Sequence, residues 1–393
     1  GVVQGVGFRP AMFRLADALG LAGFVRNDRE GVWLEIEGAP PLLDRFVAGL
    51  DAAAPPSSRI DTVEVQRIGA RHEHAFRIAE SPATATGRDA AAAIPADLAP
   101  CADCLRELTD PLDRRHRYPF INCTACGPRF TIVRDVPYDR SKTTMATFAM
   151  CDACVREYED PRDRRFHAEP NACPVCGPQA RIIGGPEGDE AVRTAAGAVA
   201  AGAIVAVKGA GGFVLAVDAT NEAAVRRLRE RKRRPHKPFA VMGRSITELA
   251  RIACLDDAAR VLLTTPARPI VLLPARGGVL APSVAPGLAD AGVYLPPTPL
   301  QHLLLADGPP LQVMTSGNLA EEPIARTDAE ALGRLAGVAD LFLVHDRELH
   351  ARADDSVVRS AVRPIPMRRA RGFVPAAIDL PWDGPPVLAV GGH

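Results

Sequence analysis

The chain has 393 residues, with 47 Lys+Arg against 47 Asp+Glu and a formal net charge of zero. That balance argues against general affinity for nucleic acid, double-stranded RNA included, or for anionic membrane, and no apolar run reaches the roughly 18 residues of a membrane helix. Apolar residues make up 47% of the chain, ample for packed cores, and the length suits two or three domains.

Residues 1–80 read as one small α+β unit. Gly1 to Arg9 looks like the end of a strand running into a glycine-containing loop. Pro10 suits the first helical position, and the helix runs to about Leu19, with Gly20 as its stop. Phe24 and Val25 suggest a strand. Val32, Leu34 and Ile36 alternate with Trp33, Glu35 and Glu37, the pattern of a half-buried strand. Leu42, Leu43, Phe46, Val47 and Leu50 make one face of a second helix, and Ile60 to Arg67 and Ala75 to Ala79 read as two more strands. The order is β-α-β-β-α-β, a ferredoxin-like arrangement with most of its first strand missing.

A loop of Gln4 to Phe8 entering a helix presents backbone N–H groups to an anion. The planar fork of Arg9 is placed to grip two phosphate oxygens. Asn27, at a strand end, carries an amide that can orient a water. The run Gly1-Val2-Val3-Gln4-Gly5-Val6-Gly7-Phe8-Arg9 resembles the signature of the acylphosphatase family. The resemblance implies that Arg9 binds the phosphoryl group and that Asn27 positions the attacking water.

Residues 81–98, rich in Ala, Pro and Thr, read as a linker. Residues 99–180 hold eight of the nine cysteines in four Cys-x2-Cys pairs: Cys101/Cys104, Cys123/Cys126, Cys151/Cys154 and Cys173/Cys176. The second two pairs are the first two displaced by fifty positions, and Glu107, Asp110, Asp113, Arg114 and Arg115 recur as Glu157, Asp160, Asp163, Arg164 and Arg165. This is a duplicated unit. Two paired turns of thiolates complete a tetrahedron at about 2.3 Å per Zn–S bond, so eight thiolates suit two closed, structural Zn2+ sites. Ligation within each repeat is the simpler choice, and interleaving across the repeats stays open. With few apolar residues per repeat, metal must supply folding energy. The Asp-Arg-Arg inserts read as solvated or locally paired, and the thiol-rich motifs fit a reducing cytoplasm. Cys254 reads as a buried core thiol.

An acylphosphatase-like start followed by this array, with Tyr118-Pro119-Phe120-Ile121-Asn122-Cys123-Thr124 and Cys126-Gly127-Pro128-Arg129-Phe130, is similar to the HypF-type carbamoyltransferases. That family makes the cyanide-ligand precursor for [NiFe] hydrogenase maturation.

Residues 181–378 alternate helical and strand patterns, which argues an α/β domain. Helices are expected at Ala191–Ala201 and Glu222–Arg233. Strands are expected at Ile204–Val207, Val214–Val217, Ile270–Leu273, Leu311–Met314, Leu341–His345 and Val357–Arg359. The turn Lys208-Gly209-Ala210-Gly211-Gly212-Phe213 matches neither the P-loop nor the dinucleotide fingerprint. The basic run ending Lys232-Arg233-Arg234-Pro235-His236-Lys237-Pro238 suits gripping a compact triphosphate. Met314-Thr315-Ser316-Gly317-Asn318 puts a hydroxyl and an amide at a strand's C-terminal end, where α/β sheets bind ligands. Lys232/Arg234 and Ser316/Asn318 resemble the Lys-x-Arg and Ser-x-Asn motifs of the YrdC family. Ser356-Val357-Val358 approximates its Ser-Thr-Val-Val segment, with Val where Thr usually stands. The resemblance implies binding of ATP with Mg2+ and adenylation of a carbamate, with Lys232 and Arg234 on the phosphates and Ser316, Asn318 and Ser356 beside them. Lys208, Arg369 and Arg371 are further candidate phosphate contacts from their charge alone.

Residues 379–393 read as a linker entering a strand. Both ends of the chain read as cut, with a further domain expected to begin near Val387. Taken over the whole chain, the HypF-type resemblance implies a relay in the cytoplasm. Carbamoyl phosphate is hydrolysed near Arg9 and Asn27, the carbamate travels through protein to the ATP site, and carbamoyl-adenylate forms there. A further domain then passes the carbamoyl group to the C-terminal cysteine of a partner maturation protein. Two other classes stay open at this stage: a threonylcarbamoyl-adenylate synthase acting in tRNA modification, and a zinc-dependent scaffold or nucleic-acid binder.

Overall fold

The computed structural model describes residues 1–28, 30–81, 93–319, 322–378, 382, 384–385 and 387–388. Most of the expected linker at 81–98 and of the expected stretch at 379–393 lies outside them.

The first unit is α1 (Phe8–Ala18), β1 (Ala22–Asn27), β2 (Val32–Glu37), α2 (Pro40–Ala53) and β3 (Phe76–Ile78). Its sheet has the order β2-β1-β3, with β2 antiparallel and β3 parallel to β1. Gly7, at φ 81, makes the left-handed turn from which α1 starts, two residues earlier than Pro10 suggested. Phe8, Met12 and Ala16 recur along one face of α1 and are buried in one cluster with Val25, Phe46 and Leu50. Gly20, at φ 63, ends the helix as expected.

Two expectations for this unit are corrected. The strand expected over Ile60–Arg67 does not form, and the first strand is reduced to a single bridge between Val2 and Arg59. Alternating apolar residues need a sheet edge to pair with, and here Val63, Val65 and Ile68 stand exposed. Val47 is likewise exposed, so α2 buries only Phe46 and Leu50 fully.

The cysteine module carries two matched helices, α3 (Ala102–Thr109) and α4 (Asp152–Glu159), each starting directly after the first cysteine of its repeat. Its apolar residues are few, as the sequence implied, but they do not stand alone. Leu108, Tyr118, Phe120, Ile121 and Met145 join one apolar cluster with Ala191, Val192, Leu300 and Leu304 of the unit that follows.

That unit comprises β4 (Ala180–Ile182), α5 (Gly188–Ala200), β5 (Val205–Lys208), β6 (Phe213–Asp218), α6 (Glu222–Arg231), β7 (Val241–Gly243), α7 (Ile246–Ala250), α8 (Asp257–Thr264), β8 (Ile270–Pro274), β9 (Asp290–Tyr294), α9 (Pro299–Asp307), β10 (Leu311–Ser316), α10 (Asp328–Leu335), β11 (Leu341–His345), β12 (Val357–Arg359) and β13 (Ile365–Arg368). The ten strands form one mixed sheet, ordered β13-β12-β8-β9-β7-β10-β6-β5-β11-β4. Its pairs are parallel only at β5–β11, β7–β9 and β8–β12. Both faces are covered, so β5 is buried at every position. One face carries Leu215, Val217, Val241 and Val313 against residues of α6, α8 and α10. The other carries Ala216, Met242 and Met314 against α5, α9 and the cysteine module. Cys254 is exposed, not buried, because its neighbours Ile252 and Ala253 take the inward positions.

Candidate functional site

The cysteine geometry resolves the open pairing. Cys101, Cys104, Cys123 and Cys126 form one cluster, and Cys151, Cys154, Cys173 and Cys176 the other, so each repeat keeps its own ligands. Neighbouring Sγ atoms lie 3.7 Å (Cys101–Cys123), 3.8 Å (Cys123–Cys126) and 3.4 Å (Cys104–Cys126) apart in the first cluster. In the second they lie 3.7 Å (Cys151–Cys173), 3.7 Å (Cys173–Cys176) and 3.6 Å (Cys154–Cys176) apart. The sulfur-to-sulfur edge of a tetrahedron with 2.3 Å bonds is about 3.8 Å, so both clusters fit Zn2+. A disulfide needs about 2.05 Å, and all eight thiols are free.

The inserts, expected to be solvated or locally paired, are paired across the repeats and tie them together. Arg114 donates to Cys154 Sγ at 3.2 Å and Arg164 to Cys104 Sγ at 3.1 Å, each crossing to the other repeat. Arg115 is 1% exposed and pairs with Glu157, and Arg165 is 4% exposed and pairs with Glu107. A cation against each thiolate cluster offsets the negative charge that four sulfurs leave around a divalent ion. Elemental analysis of protein purified without chelator should therefore find close to two zinc ions per chain. Zinc-free protein with its eight thiols oxidised in pairs would reject the assignment.

The amino-terminal site is built where the first unit meets the cysteine module. Gln4, almost fully buried, donates to Gly31 O at 2.7 Å and accepts from Tyr138 N at 2.8 Å, fixing the loop that precedes α1. The structure brings Arg9 and Asn27 together around residues of the module. Arg9 Nη1 donates to Asp139 Oδ1 at 3.0 Å and Nη2 to Glu169 Oε1 at 2.6 Å. Asn27 Nδ2 donates to Tyr138 O at 3.1 Å and to Asp139 Oδ1 at 3.4 Å, and its Oδ1 is buried with no hydrogen-bond partner among the described residues. Glu169 accepts further from Tyr158 Oη and Arg140 N, each at 2.9 Å, and burial pushes its carboxyl above the ordinary value although Arg9 and these donors pull the other way. Burial works against the charge on Arg9, but Glu169 and Asp139 outweigh it and hold the guanidinium above its ordinary value. Burial, with Arg9 alongside, pushes His167 down to about 3, leaving it neutral near pH 7. Arg9 and Asp139 open onto a cavity of about 430 Å³.

Asp139 and Glu169 were not singled out from sequence. Glu169 had a signal: the duplication puts a charged residue there against Pro119 in the first repeat. Asp139 had none, since it lies in the spacer between the repeats.

The second site is a cavity of about 280 Å³ over the mixed sheet. The β5–β6 turn forms one wall, and Gly211 is needed there because a Cβ would come within 2.2 Å of Ala353 O. Arg234 and Ser316 line the cavity, together with Lys237, Asp354, Asp355, Arg368 and Arg371. Arg234 sits with its guanidinium 5.1 Å from the Phe239 ring centroid and donates to Pro238 O at 2.6 Å. Burial, with Arg229 and Arg368 nearby, lowers it to about 10, so it is charged near neutral pH. Lys232 lies just beneath. Its Nζ donates to Ser316 O at 2.6 Å, to Asn318 O and to Asn318 Oδ1 at 2.9 Å. Burial, then Arg234 and Lys237, brings it down to about 7. Ser316 Oγ also donates to Asn318 Oδ1, at 2.7 Å, so Lys232, Ser316 and Asn318 form one network.

The remaining candidates sit apart from that network. Ser356 is fully buried, donating to Arg371 O at 2.9 Å and accepting from Ala370 N at 2.8 Å, so it braces the loop that carries Arg371. Lys208 faces a second, smaller cavity of about 40 Å³ and pairs with Asp328 at 2.8 Å. Of the two later arginines, Arg371 lines the main cavity, while Arg369 donates to Ala376 O. Arg368 was missed because β13, which it ends, was not expected, and Asp354 lies in the loop before β12, where no spacing marks it.

Comparison with known proteins follows the same division. Residues 1–78 match the acylphosphatase family model, residues 101–133 and 150–183 the HypF finger, and residues 197–370 the family described as telomere recombination. The whole chain is 49% identical to carbamoyltransferase HypF2 of Cupriavidus necator and 51% identical to carbamoyltransferase HypF of Rhodobacter capsulatus, covering 51% and 52% of those proteins. It thus spans about half the length of the curated relatives it matches. Among solved structures, full-length HypF in a phosphate- and nucleotide-bound form superposes with a TM-score of 0.91 at 44% identity, over 95% of this chain and 49% of that one. HypF of T. kodakarensis gives 0.90 at 42% identity, over 97% and 49%. Among the described residues, no helix is long and apolar enough to cross a membrane.

Proposed function

This chain belongs to the HypF carbamoyltransferase family, and on that premise we propose that it hydrolyses carbamoyl phosphate at the Arg9 site and uses ATP to form carbamoyl-adenylate at the second site. The observation that carries the reading is the pairing, on one chain, of a phosphatase-like site and a cation-lined cavity, with the zinc module between them. A relative in this family was solved in a phosphate- and nucleotide-bound form, which supports phosphate and nucleotide as ligand classes.

At the first site the loop N–H groups at the start of α1 and the guanidinium of Arg9 take the phosphoryl oxygens. A water donating to the free Oδ1 of Asn27 attacks the phosphorus, the bond from phosphorus to the carbamoyl oxygen breaks, and carbamate leaves as inorganic phosphate forms. Carbamate decays in water, so a protected route favours the second step. The small cavity beside Lys208 shares Gly209, Ala210, Pro297 and Arg371 with the ATP cavity and is walled on its other side by Gly127 and Pro128 of the zinc module. The next residue, Arg129, lines the pocket beside Arg9. This contiguity supports passage inside the protein.

At the second site a carbamate oxygen attacks the α-phosphorus of ATP and pyrophosphate leaves. Arg234, Lys237 and Arg368 offset the charge that develops there, and Ser316 and Asn318 order the strand end. Asp355 is paired with Arg371 at 2.8 Å, which leaves Asp354 as the carboxylate available to Mg2+. The activated carbamoyl group is then passed on to the C-terminal cysteine of a partner maturation protein.

The test is ATP–pyrophosphate exchange. Exchange should appear with carbamoyl phosphate and be absent without it. Exchange that instead required threonine and bicarbonate would assign the chain to threonylcarbamoyl-adenylate synthesis.

A further inference from the structure

We propose that Asp139, supplied by the zinc module, is the residue that selects a carbamoyl over a simple acyl group at the phosphatase-like site. The inference rests on the hydrolytic reading above. A carbamoyl phosphate differs from acetyl phosphate by an NH2 in place of a methyl, that is, by two hydrogen-bond donors. A site that discriminates between them needs a free acceptor near the Arg9 fork.

Asp139 has one. Its Oδ1 is engaged by Arg9 Nη1 at 3.0 Å and Asn27 Nδ2 at 3.4 Å. Its Oδ2 carries no hydrogen bond or ion pair among the described residues. The side chain is 23% exposed, and it borders the cavity that Arg9 also lines. The contacts to Oδ1 fix the carboxylate, so the free oxygen is presented to the cavity without a further ordering cost. The second carboxylate of the site, Glu169, is saturated by Arg9, Tyr158 and Arg140 and has no oxygen to spare. Residues 1–78, the part that matches the acylphosphatase family, contribute neither carboxylate. The feature belongs to the joint between that unit and the zinc module.

Charge does not explain the same preference. Carbamoyl phosphate and acetyl phosphate present the same phosphoryl group, so repulsion from Asp139 acts equally on both and cancels in their ratio. What survives in the ratio is the hydrogen bond from the NH2, and a bond to a charged acceptor corresponds to about 10- to 100-fold.

The experiment compares kcat/KM for carbamoyl phosphate and for acetyl phosphate in the wild-type chain, in Asp139→Ala and in Asp139→Asn, with zinc content confirming the fold of each. The wild type should prefer carbamoyl phosphate by about 10- to 100-fold. Asp139→Ala should bring the ratio close to one, and Asp139→Asn, which keeps an oxygen acceptor, should restore part of it. Equal losses on both substrates in Asp139→Ala would make Asp139 merely structural and overturn the proposal, as would a wild type with no preference. A wild type that hydrolysed neither substrate would remove the hydrolytic reading itself, and the inference with it.

Discussion

Arg9→Ala lowers phosphate release from carbamoyl phosphate about 100- to 1000-fold, the usual cost of losing one positioned electrostatic group. Among the described residues, Arg9 is the one cation that pairs with both Asp139 and Glu169. Removing it takes away the phosphate clamp and leaves two carboxylates facing an incoming anion, so binding and catalysis fall together. It also costs folding free energy, because truncating one partner of a buried pair is destabilising by about 3–5 kcal/mol. The variant is therefore checked for zinc content and helicity before its rate is read. Arg9→Lys serves as the milder control: it keeps the charge but loses the fork that engages two oxygens at once. Carbamoyl-dependent pyrophosphate exchange should fall in parallel, since the supply of carbamate is lost, while nucleotide binding should persist. Phosphate release at the wild-type rate in a folded Arg9→Ala protein would rule the site out.

What the sequence made legible is what depends on local spacing. A Cys-x2-Cys turn is a local unit, so all eight ligands could be named, and the fifty-residue repeat announced two sites. The loop from Gln4 to Arg9 is equally local. Which thiolates share an ion was open in the sequence because that depends on how the two turns of each repeat fold back on each other. Asp139 and Glu169 contact Arg9 across 130 and 160 residues, and no periodicity encodes a docking of two units. The same limit explains Arg115 and Arg165. An Asp-Arg-Arg insert reads as surface until the other repeat is seen to cover it. The strand expected over Ile60–Arg67 shows the converse error, since its alternation was real but no edge was there to receive it. The three-residue strand β7 and the glycine-containing β9 were too short or too interrupted to stand out.

Lys232→Met abolishes carbamoyl-dependent pyrophosphate exchange by at least about 100-fold while leaving phosphate release intact. Lys232 is almost fully buried and holds Ser316 and Asn318 through its Nζ, so its loss removes a cation and loosens the strand end that faces the cavity. None of its contacts reaches the Arg9 site, and a charge acts over about 8–10 Å in solution, so hydrolysis should not notice. The pH dependence separates the two roles of Lys232. In the free chain it is held near 7, below its ordinary 10.5. An arriving triphosphate favours the ammonium form, so binding takes up a proton above pH 7. ATP affinity in the wild type should then weaken as pH rises through 7 to 9, by up to about tenfold per unit while the proton must be acquired. Lys232→Met should bind ATP weakly with no such slope. Calorimetric titrations in buffers of different ionisation enthalpy would count the proton directly. A wild-type affinity that is flat over this range would mean that Lys232 only braces the Ser316–Asn318 segment, and wild-type exchange in Lys232→Met would place the ATP site elsewhere.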